Sequence, residues 1–267
     1  MTRQLAAARF GFAAFALAAL AAGGAVAAVR LGAVTYTDGY RVMIGVVALT
    51  LLALAAAIVW LAQALKHNDG AGRRLGLTAL FGALLLAYPP VSTFLDRLQA
   101  PPIFDVSTDT DNPPRFVALL KFRGPDANAP EFDGARRIPY RPRNPTPSDG
   151  DTHTVAYVLH DKYFDLLKPR AGFAVGSPNP VSVFFWRDFE AMKKTGWNIV
   201  AFDDKTGRIE ATRASFWFGR ISDIVVEARP SGSGARTVVR SQSRHDKIDD
   251  GFNAENVERY LTILRGS

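Results

Sequence analysis

Two arginines near the C-terminal end of the chain, Arg240 and Arg244, are the residues best suited to bind a charged ligand. Alternate side chains of a β-strand point to the same face, so both arginines would share one face with Gln242. Guanidinium groups hold phosphates and carboxylates through paired hydrogen bonds, and Asp223 on a neighbouring strand would orient them. The pattern therefore predicts a site for a phosphate or carboxylate group. A buried or solvated Arg–Asp pair with a structural role is the alternative.

Trp217 and Phe218 are the second pair of candidate ligand-binding residues, and they lie between two predicted strands. Together with the two arginines they would suit an amphiphile, whose headgroup would meet the guanidinium groups and whose tail would meet the aromatic rings. Aromatic side chains also close hydrophobic cores and lie at membrane interfaces. A structural corner in which Gly219 takes a positive φ is the competing interpretation.

Residue patterns that indicate catalysis are scarce in this sequence. The adjacent His160 and Asp161 suggest a hydrolase, because an aspartate can orient a histidine that acts as a general base. The chain has no cysteine, and it lacks the motifs of zinc hydrolases, nucleophile-elbow serine hydrolases and P-loop proteins. The acidic run from Asp105 to Asp111 lacks the glycine and terminal glutamate of an EF-hand loop. We therefore predict no catalytic residue, no metal and no cofactor, and a hydrolase is the least favoured function.

Three long apolar segments occupy the N-terminal part of the chain, at residues 10–29, 42–65 and 75–95. About 20 helical residues cross the hydrocarbon core of a bilayer, so each segment is long enough. None has a polar face, which argues against a soluble amphipathic helix, and none contains Asp, Glu, Lys, Arg or His, which argues against a transporter. The sequence predicts a three-helix transmembrane anchor over residues 1–98.

The lysines and arginines near the ends of these segments predict how the chain is oriented. Cations stay on the cytoplasmic side, and five of them lie in the N-terminal flank and the second loop, against two in the first loop. Three crossings would place everything after residue 98 in the periplasm of a bacterium. The first segment could instead be a cleaved signal peptide, which leaves the C-terminal part on the same side.

The remainder of the chain divides into a proline-rich segment and a folded domain. Residues 101–147 hold ten of the 16 prolines, so we predict a linker or ordered loop over residues 99–150. Residues 151–267 are predicted to form an extracytoplasmic α+β domain, an antiparallel sheet flanked by helices. Residues 101–267 carry 24 basic and 22 acidic side chains, a balance that argues against nucleic-acid binding. The predicted elements are a helix over 179–194, strands over 197–202, 208–215, 223–229 and 236–243, and a helix over 253–264 that begins with Asn253 as its N-cap.

Six short motifs of the C-terminal part lie at residues 105–114, 207–212, 216–219, 223–226, 240–244 and 251–254. Together they resemble the uncharacterised bacterial family called domain of unknown function 1499, some of whose members are anchored in membranes. The resemblance covers most of residues 101–265. It implies a shared fold and supplies no known activity.

Taken together, these features predict an inner-membrane-anchored envelope protein that acts as a non-enzymatic binding or partner-assembly module. The expected partners are the lipid bilayer and other inner-membrane proteins or an amphiphilic ligand. The alternative function is a lipid or amphiphile binder that uses the arginine pair and the aromatic residues.

Overall fold

The computed structural model describes residues 2–34, 36–67, 70–145, 150–163, 171–172, 180–215, 219–248 and 250–266. The described residues form two compact units, which divide between Leu98 and Gln99. Trp217 and Phe218 lie outside the described residues.

The N-terminal unit consists of three long helices, α1 (Thr2–Arg30), α2 (Tyr36–Lys66) and α3 (Gly70–Gln99). Small residues allow close packing between α2 and α3. The indole Nε1 of Trp60 donates a hydrogen bond to the carbonyl of Gly72 at 2.8 Å. A Cβ atom at Gly76 would lie only 2.8 Å from the same indole ring. Glycine at this position therefore lets the two helices approach.

Among the described residues, one helix is long and apolar enough to cross a membrane, and its candidate segment is Arg41–Lys66 of α2. This finding corrects the prediction of three transmembrane helices. The apolar part of α1 is Phe15–Arg30, which falls short of the roughly 20 residues that span a bilayer. In α3 charged residues occur near both ends, and Pro89 and Pro90 interrupt the apolar stretch between them.

The C-terminal unit is built on an antiparallel sheet with the strand order β1–β8–β7–β6–β5, and β4 also pairs with β8. The prediction of a mixed fold of helices and an antiparallel sheet is confirmed. The bounds of the strands are β1 Asp105–Ser107, β2 Arg137–Pro139, β3 Thr152–Thr154, β4 Ala171–Gly172, β5 Asn198–Asp203, β6 Arg208–Ala214, β7 Ile221–Ser231 and β8 Gly234–Ser243.

Strands β7 and β8 are longer than the sequence analysis predicts. Their ladder continues to the pair Ser231 and Gly234, so the turn between them is only two residues long. Gly232 takes a φ of 57°, as the first residue of such a tight hairpin turn requires. The segment with the most prolines contributes β1 to the sheet and, with β3, forms the separate β2–β3 ladder.

Two helices cover one face of the sheet, α5 (Pro180–Thr195) and α6 (Phe252–Arg265), while α4 (Val155–Lys162) follows β3. Apolar residues at helical spacing in α5 and α6 meet the alternate apolar residues of β6, β7 and β8. The core of the unit lies between these layers, and its fully buried members include Phe185, Met192, Ile209, Ile224, Val226, Val239, Val257 and Tyr260.

The start of α6 differs from the prediction, because Gly251 with a φ of 95° is its N-cap. Asn253 is instead buried within the first turn, where its side chain binds the sheet. Its amide nitrogen donates to Ser243 Oγ at 2.8 Å, and its amide oxygen accepts from Ser241 Oγ at 2.7 Å. Asn253 therefore fixes α6 to β8 rather than capping the helix.

Strand β5 is the last strand of the sheet and carries an irregularity at Val200. The pairing with β6 shifts between Ile199 and Ala201, so Val200 forms a β-bulge. In a regular strand, residues three apart would face opposite sides. The bulge instead places Ile199 and Phe202 on the same face, where the Phe202 ring lies 4.7 Å from that of Phe189 on α5.

Candidate functional site

The sheet face opposite the two helices carries a buried cluster of charged side chains. The strand register places Asp223 next to Gln242, and Gln242 next to Asp105. Arg240 and Arg244 lie two positions before and after Gln242, so they share its face. This confirms the predicted alternation of β8, since the two serines between these residues face α6.

Arg240 is the centre of this cluster and is 1% exposed. Its Nε lies 3.0 and 3.2 Å from the two carboxylate oxygens of Asp105, and its Nη2 lies 2.6 Å from Oδ2 of the same group. The backbone carbonyls of Pro114 and Pro130 accept the remaining bonds, at 2.9 and 2.7 Å. Each nitrogen of this guanidinium therefore already donates within the domain.

The second half of the cluster joins Arg244 and Arg123 to one carboxylate, that of Asp223. Arg244 donates to both oxygens of Asp223, and Arg123 Nη2 lies 2.8 Å from Asp223 Oδ2. The ring of Phe116 lies 4.7 Å from the guanidinium carbons of both Arg123 and Arg240. Stacking on an aromatic face adds a favourable cation–π contact to each ion pair.

Burial shifts the protonation equilibria of this cluster. Loss of solvation raises the pKa of Asp105, and the neighbouring Arg240 opposes that shift. Burial also lowers the pKa of Arg123, and the charge of Asp223 opposes this change. In each case the partner of opposite sign compensates part of the cost of removing a charge from water.

A short 3-10 helix, Ala118–Phe122, covers one end of the charged face, and Glu210 of β6 holds it in place. The Glu210 carboxylate accepts hydrogen bonds from the backbone amides of Val117, Ala118 and Leu119 at 2.9 to 3.1 Å. These amides begin the helix and have no partner within it. A buried carboxylate therefore caps the helix through contacts 91 to 93 residues apart in sequence.

The acidic run that follows β1 is also bound by arginines. Asp109 Oδ2 lies 2.7 Å from Arg236 Nη2 and 3.5 Å from Arg229 Nη1. Glu227 continues this network, since its carboxylate pairs with Arg229 and with Arg208. No group of three or more potential metal ligands occurs among the residues that the structure describes.

The structure thus brings Arg240, Arg244 and Asp223 together, as the sequence predicts, but in a buried and mutually paired arrangement. An external phosphate or carboxylate would have to displace Asp105 or Asp223 to reach the guanidinium groups. This geometry corresponds to the structural alternative. The sequence analysis considered Asp105 only as part of the acidic run and did not link it or Arg123 to the two arginines, because the contacts of both residues with β7 and β8 are long-range.

His160 and Asp161 do not form a catalytic pair among the described contacts. They lie on α4, where Nε2 of His160 is 3.0 Å from the hydroxyl of Thr110. Asp161 accepts a hydrogen bond from the Tyr140 hydroxyl at 2.8 Å and another from the Arg143 amide at 3.0 Å. Burial raises the pKa of Tyr140 to about 12, and the hydrogen bond with the Asp161 carboxylate adds to this shift.

Asp188 of α5 is a buried acid on the opposite, helix-covered face. Its side chain is 1% exposed, and Thr237 Oγ1 lies 2.8 and 2.9 Å from its two carboxylate oxygens. Its nearest cation, Arg187, is 3.7 Å away. Burial raises the pKa of Asp188 to about 7, although the hydrogen bond from Thr237 and the charge of Arg187 oppose the shift.

A second feature of the C-terminal unit is an exposed apolar surface around β5, which we call the β5-edge surface. Among the described residues, β5 pairs with β6 on one side and with no strand on the other. Six of the seven large apolar side chains exposed in the described part of this unit lie on β5, on α5 or in the segment of the 3-10 helix. They are Val117, Leu120, Phe122, Val183, Trp186 and Phe202.

The six side chains of the β5-edge surface lie on both faces of the sheet. Phe189 links Trp186 to Phe202, with ring centroids 5.9 and 4.7 Å apart, on the face covered by α5. On the other face, the core residues Phe116 and Leu119 of the 3-10 segment pack with Val200 of β5. The free strand edge is therefore flanked by apolar groups above and below the sheet.

Residues 185–264 match the model of the family described as "Protein of unknown function (DUF1499)". The match begins within α5 and ends within α6, so it includes all four strands β5 to β8. It confirms the family resemblance seen in the sequence over this part of the domain. No curated protein matches the chain.

Proposed function

We propose that this protein is a membrane-anchored, non-enzymatic module that binds a protein partner through the β5-edge surface. The observation that carries the proposal is the set of exposed apolar side chains near the edge of β5 that pairs with no strand in the described part of the chain. Soluble surfaces rarely group such side chains unless a partner covers them. An edge strand in addition offers backbone donors and acceptors that another chain can pair with.

We further propose that α2 anchors the chain in a bacterial inner membrane. Only 28% of its apolar window is buried within the structure, and Ile44, Leu51, Leu52 and Ile58 are among its exposed side chains. The central helix of a soluble protein would bury them, whereas lipid hydrocarbon would cover them in a membrane.

The orientation that we propose has the N terminus in the cytoplasm and the C-terminal unit in the periplasm. Arg3 and Arg9, which precede the α2 segment, favour a cytoplasmic start under the positive-inside rule, whereas Lys66, Arg73 and Arg74, which follow the segment closely, favour the opposite orientation. A single crossing, like three crossings, puts the two ends of the chain on opposite sides of the membrane.

Binding of an amphiphile at Arg240 and Arg244 is the less favoured function, because both guanidinium groups are buried and paired. A hydrolase is less favoured still. His160 contacts Thr110, and Asp161 contacts Tyr140.

Site-specific photo-crosslinking tests the proposed function. A photoreactive phenylalanine analogue replaces Phe202 in the full-length chain in its native membrane, and the same analogue replaces Tyr157 as a control. Tyr157 is also exposed, at 41%, but lies on α4. We expect a protein adduct from position 202 and a much weaker one from position 157. Adducts with lipid alone, or equal adducts at both positions, would contradict partner binding.

A further inference from the structure

We infer, on the basis of the proposed partner-binding function, that the partner at the β5-edge surface is a second copy of this chain. Two copies would pair through antiparallel β5 strands and form one continuous sheet. The described strands of this sheet are all antiparallel, so the added pair would repeat the geometry already present.

The symmetry of such a pair matches the distribution of apolar side chains. Antiparallel neighbouring strands are related by a two-fold axis perpendicular to the sheet, so each face of one copy adjoins the same face of the other. Trp186 and Phe202 would then meet their own counterparts on the α5 face. Leu120 and Phe122 would do the same on the opposite face. The apolar side chains of each layer would pack against the same side chains of the other copy, while Lys121 beside Phe122 and Lys193 beside Phe189 would lie at the rim of the contact.

The charges at the two ends of β5 also favour antiparallel self-pairing. Lys193 and Lys194 lie in the last turn of α5, three residues before the strand begins, and Lys193 also pairs with Glu190 at 2.6 Å. Asp203 is the last residue of the strand and Asp204 follows it. Pairing centred near Phe202, the middle of the regular segment after the bulge, places the lysine end of each copy beside the aspartate end of the other. Parallel pairing would instead bring like charges together, which costs free energy.

The bulge at Val200 limits the number of backbone hydrogen bonds that two β5 strands could form with each other. Regular pairing geometry extends over Ala201–Asp203, on one side of the bulge. Such a short ladder contributes few hydrogen bonds, so the apolar side chains of the two flanking layers supply most of the contact. This division resembles interfaces in which a few buried aromatic residues dominate the binding energy.

Charge reversal in the full-length chain tests the inference. One variant carries Lys193→Glu and Lys194→Glu, and a second carries Asp204→Lys. Asp203 is retained because its carboxylate accepts hydrogen bonds from the Lys205 amide and the Thr206 hydroxyl. Each variant alone places like charges at both ends of the pair, so we expect dimerisation to weaken at least tenfold. An equal mixture restores opposite charges at both ends and should recover the dimer as a heterodimer.

Crosslinking gives an independent readout, because the natural chain has no cysteine. Ala201→Cys, near the proposed axis, should give a dimer of the chain with a bismaleimide in native membranes. The control Tyr157→Cys should give little. A monomer with Ala201→Cys, or folded charge variants whose mixture fails to dimerise, would overturn the inference. If Phe202 crosslinks to a different protein, partner binding stands and the second copy is excluded; if it crosslinks to no protein, both fail.

Discussion

At the residue scale, Arg240 and Asp105 depend on each other because both are withdrawn from solvent. Arg240 is 1% exposed and Asp105 is 5% exposed. Removing one partner of a buried ion pair leaves the other charge without compensation and typically costs about 3–5 kcal/mol. Replacing both removes that uncompensated charge. The pair is therefore expected to be strongly coupled in folding stability.

A double-mutant cycle measures this coupling. We expect Arg240→Met alone to lower the free energy of unfolding by about 3–5 kcal/mol, because it leaves the buried carboxylate of Asp105 without its cationic partner. Combining it with Asp105→Asn should recover at least about 1 kcal/mol relative to the sum of the single changes. Urea unfolding of the detergent-solubilised full-length chain, followed by tryptophan fluorescence, provides the measurement. The exposed pair of Arg136 and Asp133 is the control, and its coupling should be near zero. Equal coupling in the two pairs would contradict the structural role of Arg240.

Asp188 should make stability depend on pH. Its pKa is about 7 in the folded chain, against about 3.9 for an unfolded aspartate, so the folded state binds this proton more tightly. The stabilisation of the folded state by this proton is complete below about pH 4 and is lost as the pH rises to about 7. Asp188→Asn should remove the decline over this interval. Thermal unfolding at several pH values checks this, with the exposed Asp204→Asn as the control. An unchanged pH profile in the Asp188 variant would contradict the assigned pKa.

At the element scale, Glu210 controls the 3-10 helix that covers the charged sheet face. Glu210→Ala removes the acceptor for the amides of Val117, Ala118 and Leu119. We expect hydrogen exchange at these amides to accelerate at least tenfold while exchange in β7 stays unchanged, since the loss of a cap acts locally. Glu190→Ala on the exposed face of α5 is the control and should leave the three amides unaffected. Uniform acceleration across the sheet would mean that Glu210 supports the whole fold instead.

The elements themselves differ in how far the sequence predicts them. The meander of β5 to β8 is predictable because apolar alternation and turn residues are local signals. The attachment of β1 to β8 is not, because a three-residue strand carries little pattern and its partner lies some 135 residues away. Asn253 shows the same limit, since a residue typical of helix caps instead binds two serines of β8.

In the candidate site, too, the local pattern is predictable from the sequence and the long-range contacts are not. Alternation along β8 predicts that Arg240 and Arg244 share a face, and the structure agrees. Whether those groups bind a ligand or each other depends on Asp105 and Arg123, whose positions arise from tertiary contacts. The β5-edge surface also could not be predicted from the sequence, because Leu120 and Trp186 reach the two faces of the sheet near β5 only through the tertiary packing of the 3-10 segment and α5.

At the scale of the whole molecule, the proposed membrane anchor and the proposed partner-binding domain predict a defined topology. A C-terminal alkaline phosphatase fusion should be active, because the enzyme folds only when exported and the C-terminal unit is proposed to be periplasmic. A C-terminal fusion to green fluorescent protein, the matched control, should be dark. A stable but inactive phosphatase fusion together with a fluorescent one would reverse the proposed orientation.

The most direct test of partner binding is native mass spectrometry of the full-length chain released from its own membrane in nanodiscs. The comparison is between the natural chain and a Trp186→Glu variant, which places a charge in the β5-edge surface, with Tyr157→Glu as the matched control. We predict an added protein mass for the natural chain and the Tyr157 variant, and its loss in the Trp186 variant. A single-chain mass, alone or with lipid only, in all three samples would contradict the account.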